Sequence, residues 1–282
     1  TKTALDLYLK ADKINSSSPY NYAGWCYFQL GEYEEAISWA KKSIDIDPNN
    51  SIYYIDMGNA TNAIGLFDEA REYSYKALEI NPNHSFAFDN LYTTAVYEKN
   101  YEEALSFLQG PMANGESLEY AASQGVIFYK TGRYEQAYKE LSAYFEQVQY
   151  DNLNYEKSVI MFYQLRQYMA LSMMKLGKQE EGKTVIREAI QNIEKNVDDQ
   201  RPAKYLLLAG CYAGLGQIDR SLDYFEKMKE LDFNDYYELT SQSIFDALAD
   251  NERYIELVDD VKARNDKMRE AILSKGILNN NE

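Results

Sequence analysis

Residues 17–50 read SSPYNYAGWCYFQLGEYEEAISWAKKSIDIDPNN, and residues 51–84 read SIYYIDMGNATNAIGLFDEAREYSYKALEINPNH. Laid over each other without a gap, they align Gly24 with Gly58, Gly31 with Gly65, Tyr33 with Phe67, Ala36 with Ala70 and Pro48 with Pro82. The period is 34 residues, and a fixed period of that size marks a stack of similar supersecondary units.

Each unit reads as two antiparallel helices. Gly31 and Gly65 permit the left-handed backbone that ends a helix, and Pro48 and Pro82 cannot continue the helix before them. Small residues at Gly24 with Ala36, and at Gly58 with Ala70, let the paired helices approach closely beside Tyr33 or Phe67.

The register continues with losses. Residues 85–117 keep Tyr101 and Ala104, but Lys99 stands where the turn glycine should be, and Gly110-Pro111 ends the second helix early. Later copies are anchored by Gly132 with Tyr134 and Ala137, by Gly177, and by Gly216, at spacings that grow to 45 and 39 residues. The repeats expected are 17–50, 51–84, 85–117, 118–150, about 157–196 and 202–232.

This pattern resembles the tetratricopeptide repeat family, over roughly residues 4–232. The resemblance implies an all-α fold, a right-handed superhelical solenoid of antiparallel helix hairpins. Residues 1–16, with Ala4, Tyr8, Ala11 and Ile14 spaced like Ala36, Ala40, Ser43 and Ile46, read as the second helix of a truncated repeat. The chain is accordingly expected to be a fragment that lacks its N-terminus. Residues 233–282 leave the pattern and end in a helix with Tyr254, Val258, Val261, Met268 and Ile272 on one stripe, read as a C-terminal cap on one continuous solenoid domain. A dimerisation helix is the alternative for that stripe.

Composition narrows the function. Acidic residues outnumber basic ones 45 to 29, a net charge of −16 that repels phosphate backbones and anionic lipid heads, so nucleic acid is not an expected partner. No run is apolar enough to insert in a membrane, and Cys26 and Cys211 read as buried free thiols, which favours a cytoplasmic location.

Chemistry is sparse. His84 is the only histidine and reads as a solvated loop residue, and no phosphate loop, nucleophile elbow or zinc spacing is present, so no enzyme, cofactor or metal is expected. Asp45, Asp47, Asn49, Ser51, Ile52 and Asp56 mimic calcium-loop spacing. However, Pro48 interrupts the loop, Asn50 replaces the turn glycine, and the repeat register accounts for every one of these residues.

By the resemblance, first helices line a concave groove. The candidate lining is Asn21, Trp25 and Phe28, with Gln29; then Ile52, Ile55, Asn59 and Asn62; then Phe86, Asp89, Thr93 and Tyr97. Aromatic groups supply contact area at low rotamer cost and asparagines pair with a peptide backbone, so the expected ligand is a peptide or helix of a partner protein. Residues 17–30, 51–64 and 85–98 hold no Lys or Arg, which argues against a clamp for an acidic chaperone tail. Lys130, Arg166, Lys175 and Lys204 shift any acidic ligand group toward the later repeats. The expected role is a non-enzymatic interaction scaffold or adaptor. One alternative is a sensory or regulatory domain of a larger signalling protein; another is an assembly role through outer faces such as Glu34, Glu35 and Lys41.

Overall fold

The computed structural model describes residues 21–108, 118–148 and 156–278. The half repeat at 1–16 and the Gly110-Pro111 break lie outside the described residues, as do residues 149–155. The helices are α1 Asn21–Gln29, α2 Tyr33–Ile46, α3 Ser51–Ala63, α4 Phe67–Ile80, α5 Ser85–Tyr97, α6 Tyr101–Leu108, α7 Leu118–Lys130, α8 Tyr134–Gln147, α9 Glu156–Lys175, α10 Gln179–Asn196, α11 Pro202–Gly214, α12 Ile218–Glu230, α13 Tyr236–Ser241 and α14 Glu252–Ser274, with a 3-10 turn at Ser243–Leu248. They follow one another as consecutive pairs, and no strand occurs among the described residues.

One backbone device makes all six hairpins. Gly31, Gly65, Gly132, Gly177 and Gly216 take φ between 72° and 86°, and the next residue's amide bonds the carbonyl five residues back, as Glu32 does to Tyr27 at 3.0 Å and Gln217 to Tyr212 at 2.9 Å. Lys99, at the degenerate position, holds φ 59° and keeps the same bond from Asn100 to Ala95. A side chain in that region costs about 1–2 kcal/mol, so the surrounding packing overrides local preference there. The proline turns are alike too. Asp47 and Asn81 are extended ahead of Pro48 and Pro82, and their side chains accept from the amides of Asn49 and Asn83. The carboxylate of Asp47 is thus spent on a turn. Most of the longer spacing of the later repeats lies in α9 and α10, with 20 and 18 residues against 13 and 14 in α3 and α4.

The chain divides into two compact units. The first comprises Thr1–Met112, Asn234–Ser241 and Asp260–Glu282; the second comprises Ala113–Phe233 and Gln242–Asp259. In the first, Tyr33, Ala36, Ile37, Ala40, Met57, Ala60 and Ile64 form a core that also holds Ile272, with Met268 packed against it. In the second, Phe225 at the heart of α12 meets Phe245 and Tyr254 at ring-centre distances of 4.9 and 5.4 Å.

The segment expected to cap the sixth repeat is therefore shared. Residues 243–259 cover the sixth hairpin, while Met268 and Ile272 belong to the core of the first two. The buried stripe of α14 is Tyr254, Leu257, Val261, Asn265 and Ile272, so those side chains are taken up within the chain rather than left for a second copy. Cys26 and Cys211 are both buried free thiols.

Candidate functional site

The first-helix face of the first unit is built from α1, α3 and α5. Trp25 is 37% exposed and stacks on Phe28 at 5.6 Å; Phe28 in turn lies 5.6 Å from Tyr33. Gly24 explains how α1 lies so close to α2, since a Cβ there would sit 3.3 Å from that of Trp39. Trp25 and Phe28 join Asp56 and Asn59 around a notch of about 10 Å³, room for about one water. Ile52 and Phe86 open α3 and α5 and are exposed, at 41% and 58%. Asp89 and Thr93 are half-buried on α5.

Two expected lining residues are used by the stack instead. Ile55 is buried with Ala77 and Ala87. Asn62 donates to the Asn90 carbonyl at 3.2 Å and accepts from Thr94 Oγ1 at 2.7 Å, while Asn90 donates to the Ile55 carbonyl. A buried amide must find such partners, and Asn62 finds them in the next repeat. A third, Tyr97, is covered from within the chain: Tyr237 of α13 stacks on it at 6.0 Å, and it donates to Glu238 Oε2 at 3.4 Å. The side chain of Asn21 lies outside the described residues.

Asp56 was read only as part of the calcium-like spacing. It is half-buried on α3 with no hydrogen bond or ion pair, and burial raises its carboxyl to about 7. Its place three residues before Asn59, one helical turn along the same face, was the sequence signal. His84 lies in the turn ahead of α5 but is half-buried rather than fully solvated: its Nδ1 is buried without a partner, burial lowers its pKa, and its ring lies 5.8 Å from that of Phe86.

The later basic residues separate into two groups. Lys204 is 5% exposed and donates to the carbonyls of Glu194 and Val197, at 3.1 and 2.7 Å, and to Asp199 Oδ1 at 2.5 Å. Arg166 pairs with Glu188 at 3.0 Å. Neither is available for an acidic ligand. Lys130 and Lys175 instead line a cleft of about 380 Å³ in the second unit, with Tyr129, Tyr134, Ser243 and Asp246. Both lysines stand two residues before a turn glycine, and that shared register was legible; the contribution of Ser243 and Asp246 was not.

No helix among the described residues is long and apolar enough to cross a membrane. Family models of the tetratricopeptide repeat match residues 18–50, 52–84 and 205–235. A search of curated proteins finds no match. Among solved structures, the Cut9–Hcn1 hetero-tetramer of APC/C matches at TM-score 0.60 and 16% identity over 96% of this chain, which spans about half (51%) of that one. The apo quorum sensor NprR from B. thuringiensis matches at 0.59 and 20% identity, over 92% of this chain and 83% of that one. A tetratricopeptide repeat protein from Parabacteroides merdae matches at 0.57 and 14%, over 93% and 91%. At these identities the likeness is one of fold.

Proposed function

We propose, from the premise that this chain is a tetratricopeptide repeat protein, that it is a non-enzymatic scaffold whose first unit holds a segment of a partner protein on α1, α3 and α5. The observation that carries this reading is the cluster of exposed Trp25 stacked on Phe28 beside unpaired Asp56 and Asn59. Aromatic surface of that kind gives contact area at low entropic cost, and a partly desolvated carboxylate without a counter-ion favours a cationic partner group. The preferred ligand is an extended or helical segment with an apolar residue and a Lys or Arg. A basic segment also suits a chain of net charge −16.

Selection from a phage-displayed peptide library tests this, using the full chain and a Trp25→Ala, Asn59→Ala, Phe86→Ala variant with unchanged circular dichroism. A basic-apolar motif enriched on the wild type and lost on the variant supports the reading. Equal enrichment on both places binding elsewhere and removes it.

A sensory or regulatory role is the second reading, favoured by the covering of Tyr97 by Tyr237 and Glu238. Under it, a ligand of the first-helix face competes with α13. Ligand binding that leaves amide exchange in residues 234–241 unchanged removes this version and leaves the scaffold intact.

A further inference from the structure

The cleft in the second unit has a mixed polarity that the first-helix face lacks. Its walls are the C-terminal ends of α7, α9 and α11 and the 3-10 turn Ser243–Leu248. Lys130 and Lys175 enter it from the last turns of α7 and α9, with ammonium groups 5.6 Å over the Tyr168 ring and 5.9 Å over the Tyr134 ring. At Lys175 a cation–ring contact of that length holds the side chain in place while leaving it able to take an anion. Lys175 has no ion pair.

Negative potential comes from the 3-10 turn. Asp246 lines the same cleft, is exposed, and forms no ion pair. The carbonyl ends of three helices add partial negative charge. Between the two polarities, Leu171, Met174 and Ile244 supply an apolar surface. Ser243 Oγ is buried with no hydrogen-bond partner, a state that costs free energy unless something in the cleft satisfies it.

We propose that this cleft binds a small zwitterion with an apolar side chain, a free amino acid or unblocked short peptide whose carboxylate is taken by Lys175 and whose ammonium is taken by Asp246. An anion alone would face Asp246 and the helix ends, and a cation alone would face the lysines. A ligand carrying both charges satisfies both walls. The volume, about 380 Å³, is at the small end for ligand pockets and suits one to two residues.

The test is calorimetric titration of the full chain with leucine and with the dipeptide Ala-Leu, which separates the two sources of the chemistry. N-acetyl-Ala-Leu and Ala-Leu amide each lack one charge. Binding of an unblocked ligand is expected, weakened about tenfold or more by either block and by Lys175→Met or Asp246→Asn, the loss of one ion pair in a partly desolvated site. The Trp25→Ala, Asn59→Ala, Phe86→Ala variant should bind it unchanged, which separates this site from the first-helix face. Equal binding of blocked and unblocked dipeptides overturns the proposal, as does absence of binding at millimolar concentration. Asp246 is exposed, so Asp246→Asn remains a usable variant if Lys175→Met does not fold; no effect of Asp246→Asn likewise overturns it.

Discussion

The side-chain amide of Asn265 donates to the main-chain carbonyl of Ala63 at 2.7 Å, joining the end of α3 to a residue 202 positions later. The same nitrogen donates to the Asn234 carbonyl at 3.2 Å. Asn265 is 1% exposed, and it lies in the stripe where α14 otherwise buries apolar groups. The carbonyls at a helix end lack intrahelical partners, and Asn265 supplies one in a place water does not reach. Asn265→Ala leaves the buried Ala63 carbonyl without its donor and takes one of two donors from the part-buried Asn234 carbonyl, which keeps the Tyr236 amide. The expected cost is about 1–3 kcal/mol, read as a fall in the unfolding midpoint, with faster amide exchange in residues 61–66. An unchanged midpoint would show the bond to be dispensable.

Gly65 and Gly132 share the same left-handed turn, yet they should respond differently to alanine. A Cβ on Gly132 meets nothing within 4 Å, whereas one on Gly65 runs into the ring of Tyr237. Gly132→Ala therefore costs only the backbone strain, about 1 kcal/mol. Gly65→Ala adds displacement of a ring that is packed edge-on to Phe67 at 4.9 Å. It should be the more destabilising by at least about 1 kcal/mol, and Tyr237→Ala should reduce that excess when combined with it. Urea unfolding of the two single variants and the double variant measures this; equal losses at the two glycines would contradict the docking of α13.

How much of this was legible follows from where the information lies. The hairpins rest on local rules, a glycine that permits positive φ and a proline that stops a helix, and these repeat at a fixed period, so Gly31, Gly65, Pro48 and Pro82 announce themselves. The docking of residues 234–241 and 260–278 on the first unit is a long-range pairing carried by single side chains such as Asn265 and Tyr237, which have no period. Asn62 shows the same limit within a repeat: an asparagine at a first-helix position reads as a ligand group until Thr94 and Asn90 are seen to use it. Trp25 and Phe86, with no such partner, remain on the surface.

Lys204 illustrates a charged side chain used for structure. Its ammonium holds the carbonyls of Glu194 and Val197 at the end of α10. Lys204→Met keeps the stem and removes three hydrogen bonds, leaving those carbonyls unpaired. A loss of about 2–3 kcal/mol is expected, read in the thermal midpoint of the full chain. Lys130→Met, in a cleft rather than a buried cap, should cost less than about 1 kcal/mol.

Under the proposed function, Asp56 should make the binding of a basic segment depend on pH. Its carboxyl titrates near 7 in the free protein because burial disfavours the charge. A cationic ligand group binds the ionised form, so affinity for a basic peptide should rise about tenfold between pH 6 and 8. Asp56→Asn should abolish that rise. A slope that persists in the variant would assign it to another group.

Asp235 sets a second pH dependence, of stability rather than binding. Burial first, and the neighbouring charge of Glu238 next, raise its carboxyl from 3.8 to about 8, although the amides of Glu238 and Tyr237 pull the other way. The groups facing it are Glu238 on its own segment and the buried hydroxyls of Tyr33 and Tyr97. A raised carboxyl means that the folded chain keeps a proton the unfolded chain releases. Its contribution to stability is therefore complete below about pH 4 and is lost progressively as pH rises to about 8. The docked segment should loosen over that window, seen as amide exchange at residues 65–67 and 236–238 that accelerates beyond the intrinsic rate between about pH 6 and 8.5. Asp235→Asn retains an oxygen to accept from the Glu238 amide, a bond of 2.8 Å in the native chain, and removes the charge. Exchange in that variant should be flat across the same range; a dependence that survives the substitution would mean that Asp235 is already ionised in the folded chain.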